Sequence, residues 1–218
     1  FIIICAPMSA YKNIFNIIKK HKKFDAIITD IGSTKQSIIN ILKLTIIDHE
    51  KCFVGSHPLT GKETSTIMAY EKNLFDKAVV LVTPTEKTKK NLVKRVSRFW
   101  RAMRCRVTMI SPKLHDLVLS ETSHLPHLVS FALVNIILNT QSIKNIKDYT
   151  GGGFKDFARL AHSDGVMWSD ICGTNEKNIV TAINMLIKEL GLIKNMVKSN
   201  DKSLRLYLSG IKAKLYKK

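Results

Sequence analysis

The stretch Arg106-Val-Thr-Met-Ile-Ser-Pro-Lys-Leu-His-Asp-Leu-Val-Leu119 joins two hydrophobic periods. Up to Ile110 it is a short apolar run of the kind that forms a buried strand, and from Pro112 apolar residues recur at the three- and four-residue spacing of a helix face. Upstream of the junction, apolar runs at 1–6, 25–29, 51–54, 78–82 and 106–110 alternate with amphipathic stretches at 10–22, 35–44, 66–72 and 87–104. Strand and helix in alternation predict a parallel sheet with crossover helices. Downstream the strands stop. Helical spacing runs through 112–139, interrupted only by Pro126, and returns at 174–199 and 201–216. The expected fold is therefore α/β followed by all-α, with a boundary near residue 110: an α/β domain over 1–110 and a helical domain over 111–218. Helices this apolar must bury a face against one another or against a second subunit.

The chain of 218 residues carries 35 Lys and Arg against 17 Asp and Glu, a formal net charge of +18. A dense positive field attracts polyanions. The lysines are spread along the whole chain, however, and the densest basic stretch, Lys94 to Arg106, has helical apolar spacing with its cations on the other face. That is the pattern of a solvated helix surface rather than a nucleic-acid site. The apolar run at 1–5 is far too short for a signal peptide, and no window approaches the ~20 apolar residues of a membrane span. A cytoplasmic protein with no membrane partner is expected. Cys5, Cys52, Cys105 and Cys172 lack the spacing of metal ligands, so neither a disulfide nor a metal is expected.

Several strands run straight into Pro, Gly or Asp, and the carboxyl ends of such strands are where open α/β sheets bind ligands. At Asp30-Ile-Gly-Ser-Thr-Lys35, Gly32 lets the backbone turn, and Ser33 either projects a hydroxyl into the cleft or caps the following helix. At Gly55-Ser-His-Pro-Leu-Thr-Gly-Lys-Glu63, His57 is held between a turn-forming Gly and Pro58, and imidazole is the side chain whose proton affinity lies nearest neutrality. It is either a surface histidine or a base at the ligand edge. Arg159 is the only arginine between Arg106 and Arg205 in a Lys-rich chain. It is either a bidentate grip on a carboxylate or the partner of Asp156 or Asp164. Ser123-His-Leu-Pro-His127 places two imidazoles at HxxH spacing without an evident third metal ligand.

These segments, in order and spacing, resemble the prephenate dehydrogenases. GSHPLTGKE is similar to that family's GxHPxxGxE loop, DIGSTK to its D-x-G-S-x-K turn and SHLPH to its helix motif. The block from Gly151 to Ile171 is similar to its GGGFxDxTRIAxSxPxMWxDI segment, and VTPTEKT and His115-Asp116 agree as well. The resemblance implies a Rossmann-type domain joined to a helical domain that forms a homodimer, and NAD-dependent oxidative decarboxylation of prephenate to 4-hydroxyphenylpyruvate in tyrosine biosynthesis. His57 would be the base, and Ser33 would orient the reacting hydroxyl. Arg159 would bind the ring carboxylate, while His127, Gly152, Trp168 and Glu63 would contribute to the substrate pocket. Ala6, Pro7, Asp30, Gly32, Ser33, Thr83 and Pro84 would line the nicotinamide side.

Departures from the pattern are Thr60 and Lys62 in the His57 loop, Ala158 beside Arg159 and Gly165 before Met167. No GxGxxG occurs in the chain. The pyrophosphate-binding turn would lie before Phe1. Arogenate in place of prephenate, and NADP in place of NAD, stay open at this level. So does the alternative of a truncated or decayed member that only dimerises.

Overall fold

The computed structural model describes residues 1–21, 23, 25–61, 71–140, 149–199 and 202–215. Two compact units divide between Ile179 and Val180. The first opens with β1 (Ile2–Ile4), α1 (Tyr11–His21), β2 (Ile28–Asp30) and α2 (Gln36–Thr45), followed by β3 (Gly55–Pro58), β4 (Val79–Thr83), α3 (Lys90–Ala102) and β5 (Arg106–Met109). Strands β1 and β2 pair in parallel with Ile2 opposite Ile28, and β4 and β5 pair in parallel with Val79 opposite Arg106. A bridge between Ile28 and Phe53 joins the two groups of strands, with Ile28 N donating to Cys52 O and Val54 N to Ile28 O.

The third strand departs from expectation. Of the residues at 51–54, Phe53 makes only that bridge, and His49–Lys51 forms a short helical turn entered through Asp48 at φ 56°. The strand proper is Gly55–Pro58, antiparallel to β4, so the sheet is not uniformly parallel. Gly and Pro signal turns in sequence. Here Pro58 ends the strand, and Gly55 is required because a Cβ would collide with Thr83 Oγ1 across the pair. The expected helix at 66–72 falls largely outside the described residues.

Helices α1 and α2 pack onto the sheet through Tyr11, Phe15, Ile38 and Leu42, all 1% exposed or less. Helix α3 buries Leu92, Val96 and Trp100, four residues apart along one stripe, and leaves Lys94, Arg95, Arg98 and Arg101 in solvent. The basic stretch is thus a solvated helix face, as its spacing predicts. A buried aliphatic or aromatic side chain contributes about 1.5–3 kcal/mol, so this stripe suffices to hold α3 against the strands.

The helical part of the first unit comprises α4 (Pro112–Leu119), a π-helical turn (Ser120–His124), α5 (Leu125–Leu138), α6 (Gly152–Ala161), α7 (Gly165–Thr174) and the start of α8 (Glu176–Ser199). Pro126 cannot donate a backbone hydrogen bond, and the wider turn before it accommodates the missing donor. Because the helix continues through Pro126, 112–138 is long and apolar enough to cross a membrane by length and composition, contrary to the expectation from sequence. The same helix buries His115, Asp116, Ser120, His124 and Ser130 against the rest of the unit. Only 22% of its most apolar window is buried, and Ile136 and Leu138 stand exposed.

Packing divides the chain far from residue 110 because α4 and α7 are hydrogen-bonded to the α/β elements. Asp116 of α4 accepts from the backbone of Lys35 and Gln36, and Asp170 of α7 accepts from Ser9 N. The second unit contains the rest of α8 and α9 (Ser203–Leu215). Within it Tyr207 donates to the Glu189 carboxylate, and Met185, Ile187, Leu206 and Leu208 are exposed.

Candidate active site

Strand β3 positions the central histidine by simple alternation, since neighbours on a strand point to opposite faces. Ser56 points into the core, where its hydroxyl bonds Thr29 Oγ1 at 2.8 Å and accepts from Trp100 Nε1 at 3.0 Å. His57 therefore points the other way, and its ring lines a cavity of about 620 Å³. Ser33, Thr60, His127, Arg159 and Trp168 line the same cavity.

Below His57 lies a chain of buried polar groups. His57 Nδ1 is 2.8 Å from His115 Nε2, and His115 Nδ1 is 2.8 Å from Asp116 Oδ1. The Asp116 carboxylate also accepts from Lys35 N and Gln36 N, both at 2.8 Å, and so caps the first turn of α2 from another helix. Lys35 is fully buried. Its Nζ donates to Asp30 Oδ2 at 2.5 Å and to Ser56 O at 2.7 Å. Asp30 is saturated in turn, accepting also from Tyr11 Oη, Gly32 N and Ser56 N.

Burial holds the His57 imidazole well below its ordinary pKa, and the positive charge of Lys35 and the neighbouring His115 and His124 push the same way. His115 is also lowered, chiefly by burial, although Asp116 opposes the shift. His124 is lowered to about 4, again chiefly by burial. Burial disfavours a charged imidazole because the ion loses its hydration. At neutral pH the cluster is uncharged.

Trp168 stacks on His127 with ring centroids 4.1 Å apart and meets His124 edge-on at 6.0 Å. His127 donates Nδ1–H to Ser123 O in the π-helical turn. The Trp168 indole N–H is buried and has no acceptor among the described residues. A buried donor without a partner costs about 1–3 kcal/mol.

Ser33 does not cap α2. The cap position is Lys35, whose side chain makes no capping bond, and Asp116 supplies that function. Ser33 instead lines the 620 Å³ cavity and also a second, of about 640 Å³, formed with Cys5, Ala6, Pro7, Gly32 and Met167. The structure thus gathers Ser33, His57, His127, Arg159 and Trp168 at one cavity, and Ala6, Pro7, Gly32 and Ser33 at the other.

Four expected residues lie elsewhere. Asp30 is buried in the Lys35 ion pair, Thr83 is 1% exposed at the end of β4 and Pro84 follows it, and none of the three lines either cavity. Gly152 opens α6 exposed to solvent. Glu63 lies outside the described residues. Lys35, Asp116, His124 and Asn175 support the site without having been assigned roles from sequence. Their shared signal is an ionisable or amide side chain at a position where helical spacing calls for an apolar one.

Over residues 1–109 the sequence matches the nucleotide-binding domain of prephenate dehydrogenases, and over 111–209 it matches their dimerization domain. The chain belongs to the prephenate dehydrogenase family. It is 32% identical to the prephenate dehydrogenase of Bacillus subtilis, over 81% of this chain and 48% of that protein. It is 30% identical to the cyclohexadienyl dehydrogenase of Zymomonas mobilis, over 92% of this chain and 68% of that protein. The chain thus spans about half the length of the first relative and two thirds of the second. Among solved structures, prephenate dehydrogenase from A. aeolicus in complex with hydroxyphenyl propionate and NAD+ superposes with a TM-score of 0.88 at 37% identity. The match covers 97% of this chain and 74% of that one. The family's nucleotide-binding half and dimerization half therefore meet near residue 110, within the first compact unit.

Proposed function

We propose that this protein oxidises and decarboxylates prephenate to 4-hydroxyphenylpyruvate with NAD, in the cytoplasm, in the synthesis of tyrosine. The observation that carries the reading is the His57 ring, its pKa lowered chiefly by burial, at the wall of a cavity that Arg159, Ser33 and Trp168 also line. A family relative with NAD+ and a hydroxyphenyl acid bound supports it.

The neighbouring cavity suits a nicotinamide. Its walls are largely apolar, with Ala6, Pro7, Met8, Ile31, Val166 and Ile171 on the carboxyl side of β1 and β2, and it touches the first cavity at Ser33 and Met167. Bound NAD would supply the hydride acceptor. Arg159 would grip the ring carboxylate by a planar fork that Lys cannot reproduce. Ser33, shared by both cavities, would orient the ring hydroxyl between His57 and the hydride acceptor. His57 would take the hydroxyl proton as hydride leaves the same carbon. The electron pair of the breaking carbon–carboxylate bond then flows into the ring, carbon dioxide departs and the oxygen becomes a phenolate. His57 returns its proton to that oxygen, so no net proton is consumed and the base is regenerated. The aromatic product makes the step effectively irreversible.

The helical part is read as the dimer-forming element, on the strength of the family match at 111–209 and the exposed apolar side chains of α8 and α9. Sedimentation of the full-length protein should give a dimer. The deciding assay is NADH absorbance when that protein is mixed with prephenate and NAD, with arogenate and NADP run in parallel. Turnover of prephenate with NAD is expected. A folded protein silent in all four combinations would refute the reading.

A further inference from the structure

We propose that His115 and Asp116 are positioning residues that fix the tautomer of His57, holding its proton on Nδ1 and leaving Nε2 as the bare, basic nitrogen. The inference rests on the role given above to His57. The hydrogen bonds run outward from α2, one at a time. Backbone N–H groups can only donate, so both oxygens of Asp116 act as acceptors, Oδ1 from Lys35 N and Oδ2 from Gln36 N. The carboxylate sits at the amino end of a ten-residue helix, where a negative charge is stabilised. As an anion it can only accept, so the proton between it and His115 belongs to His115 Nδ1, 2.8 Å away.

His115 is completely buried, and burial keeps its ring neutral. A neutral imidazole carries one proton, so with Nδ1 protonated His115 Nε2 is an acceptor. The group facing it at 2.8 Å is His57 Nδ1, which must therefore donate. His57 is neutral too, and its remaining nitrogen, Nε2, is left with a lone pair. Each link admits one assignment only.

The anchor is rigid at every stage. Asn175 Nδ2 donates to the Asp116 main-chain oxygen at 2.8 Å, and Ser56, the neighbour of His57, is pinned between Thr29 and Trp100. Without the relay His57 can hold its proton on either nitrogen and can turn about its side-chain bonds, and in the wrong tautomer it presents a donor where a base is needed. The relay also links two parts of the chain, since Asp116 and His115 belong to α4 while Lys35, Gln36 and His57 belong to the α/β elements. Docking α4 onto α2 thereby sets the protonation pattern of the site.

The test uses the full-length gene product. In His115→Phe the acceptor for His57 is gone, and kcat should fall about 100-fold or more with KM nearly unchanged, the size of effect typical of a lost general base. His115→Gln offers an amide oxygen near the place of Nε2 and should recover a large part of that loss. Combining His57→Asn with His115→Phe should cost no more than His57→Asn alone, because His115 acts only through His57. Nitrogen-15 NMR of the wild type should find the His57 proton on Nδ1, and of His115→Phe a mixture or the other tautomer. A proton on Nε2 in the wild type would overturn the proposal, and that measurement decides it even if His115→Phe does not fold. Full activity of His115→Phe beside an inactive His57→Asn would also overturn it. An active His57→Asn would instead remove the base assignment itself, whatever the tautomer.

Discussion

The two cavities that meet at Ser33 and Met167 are nearly equal in volume, about 620 and 640 Å³, but the first carries more polar groups on its walls. The first is walled by imidazoles, a guanidinium, hydroxyls and an indole. Each buried polar group beneath it is tied to a strand or a helix end: Asp116 to α2, Lys35 to Asp30 and Ser56, and Ser56 to Trp100. The second is walled by the turn after β1 and by α7, mostly through apolar side chains, and apart from Ser33 its polar members are Cys5 and Asp164. Asp164 is itself occupied as the cap of α7, accepting from Met167 N at 2.7 Å. A flat apolar ring needs mainly shape from such a wall, whereas proton transfer needs defined protonation states, and the imidazole part of the buried hydrogen-bond network lies under the first cavity.

The largest expected effect breaks that asymmetry at its centre. His57→Asn should lower kcat by about 10²–10⁴ with little change in either Michaelis constant, as for loss of a general base. Steady-state kinetics with both substrates varied will measure it. Next comes Lys35→Met, which leaves Asp30 as a buried charge without its cation. Breaking a buried pair from one side costs about 3–5 kcal/mol, so urea unfolding should show a loss of that size. In whatever remains folded, the acid limb of the rate profile should move to higher pH, because a positive charge that depresses His57 has been removed. Smaller again is Arg159→Lys. It should raise the KM for prephenate about tenfold, by loss of one of two forked hydrogen bonds, and leave the KM for NAD alone, since Arg159 lines only the first cavity.

The alternation of strand and helix up to Ile110 was legible because period and punctuation agree there. It failed at β3, where Gly55 and Pro58 look like turn residues and are strand residues, Gly55 for want of space beside Thr83. Ser33, His57 and Arg159 stand out locally, as polar groups at strand ends and a lone arginine, whereas His127 and Trp168 were named for the pocket only through the family resemblance. Asp30, named with the nicotinamide side through the same resemblance, lines neither cavity. A carboxylate at a strand end looks like a ligand contact, and only the fold reveals that Lys35, five residues on, turns back to neutralise it. The cap of α2 was invisible from sequence, because its donor set and its carboxylate are 80 residues apart. Local chemistry can thus be read along the chain, but hydrogen bonds between distant elements cannot.

A further expected effect, on stability rather than on turnover, concerns His124, which lies against Trp168 without lining the first cavity. Its pKa of about 4 lies below the ordinary 6.5 because the ring is buried. Above pH 6.5 the folded and unfolded chains both hold this histidine neutral, so it contributes no pH dependence. As pH falls below 6.5 the unfolded chain takes up a proton that the folded one refuses, and folding weakens until the folded ring titrates as well, near 4. The full penalty approaches about 3 kcal/mol, since one pKa unit corresponds to about 1.4 kcal/mol. His124→Phe keeps an aromatic ring against Trp168 and removes the titration. Its urea midpoint should therefore fall less than that of the wild type between pH 6.5 and 4. Parallel midpoints for the two proteins over that range would mean that water reaches His124, and that the dry polar network ends at His115.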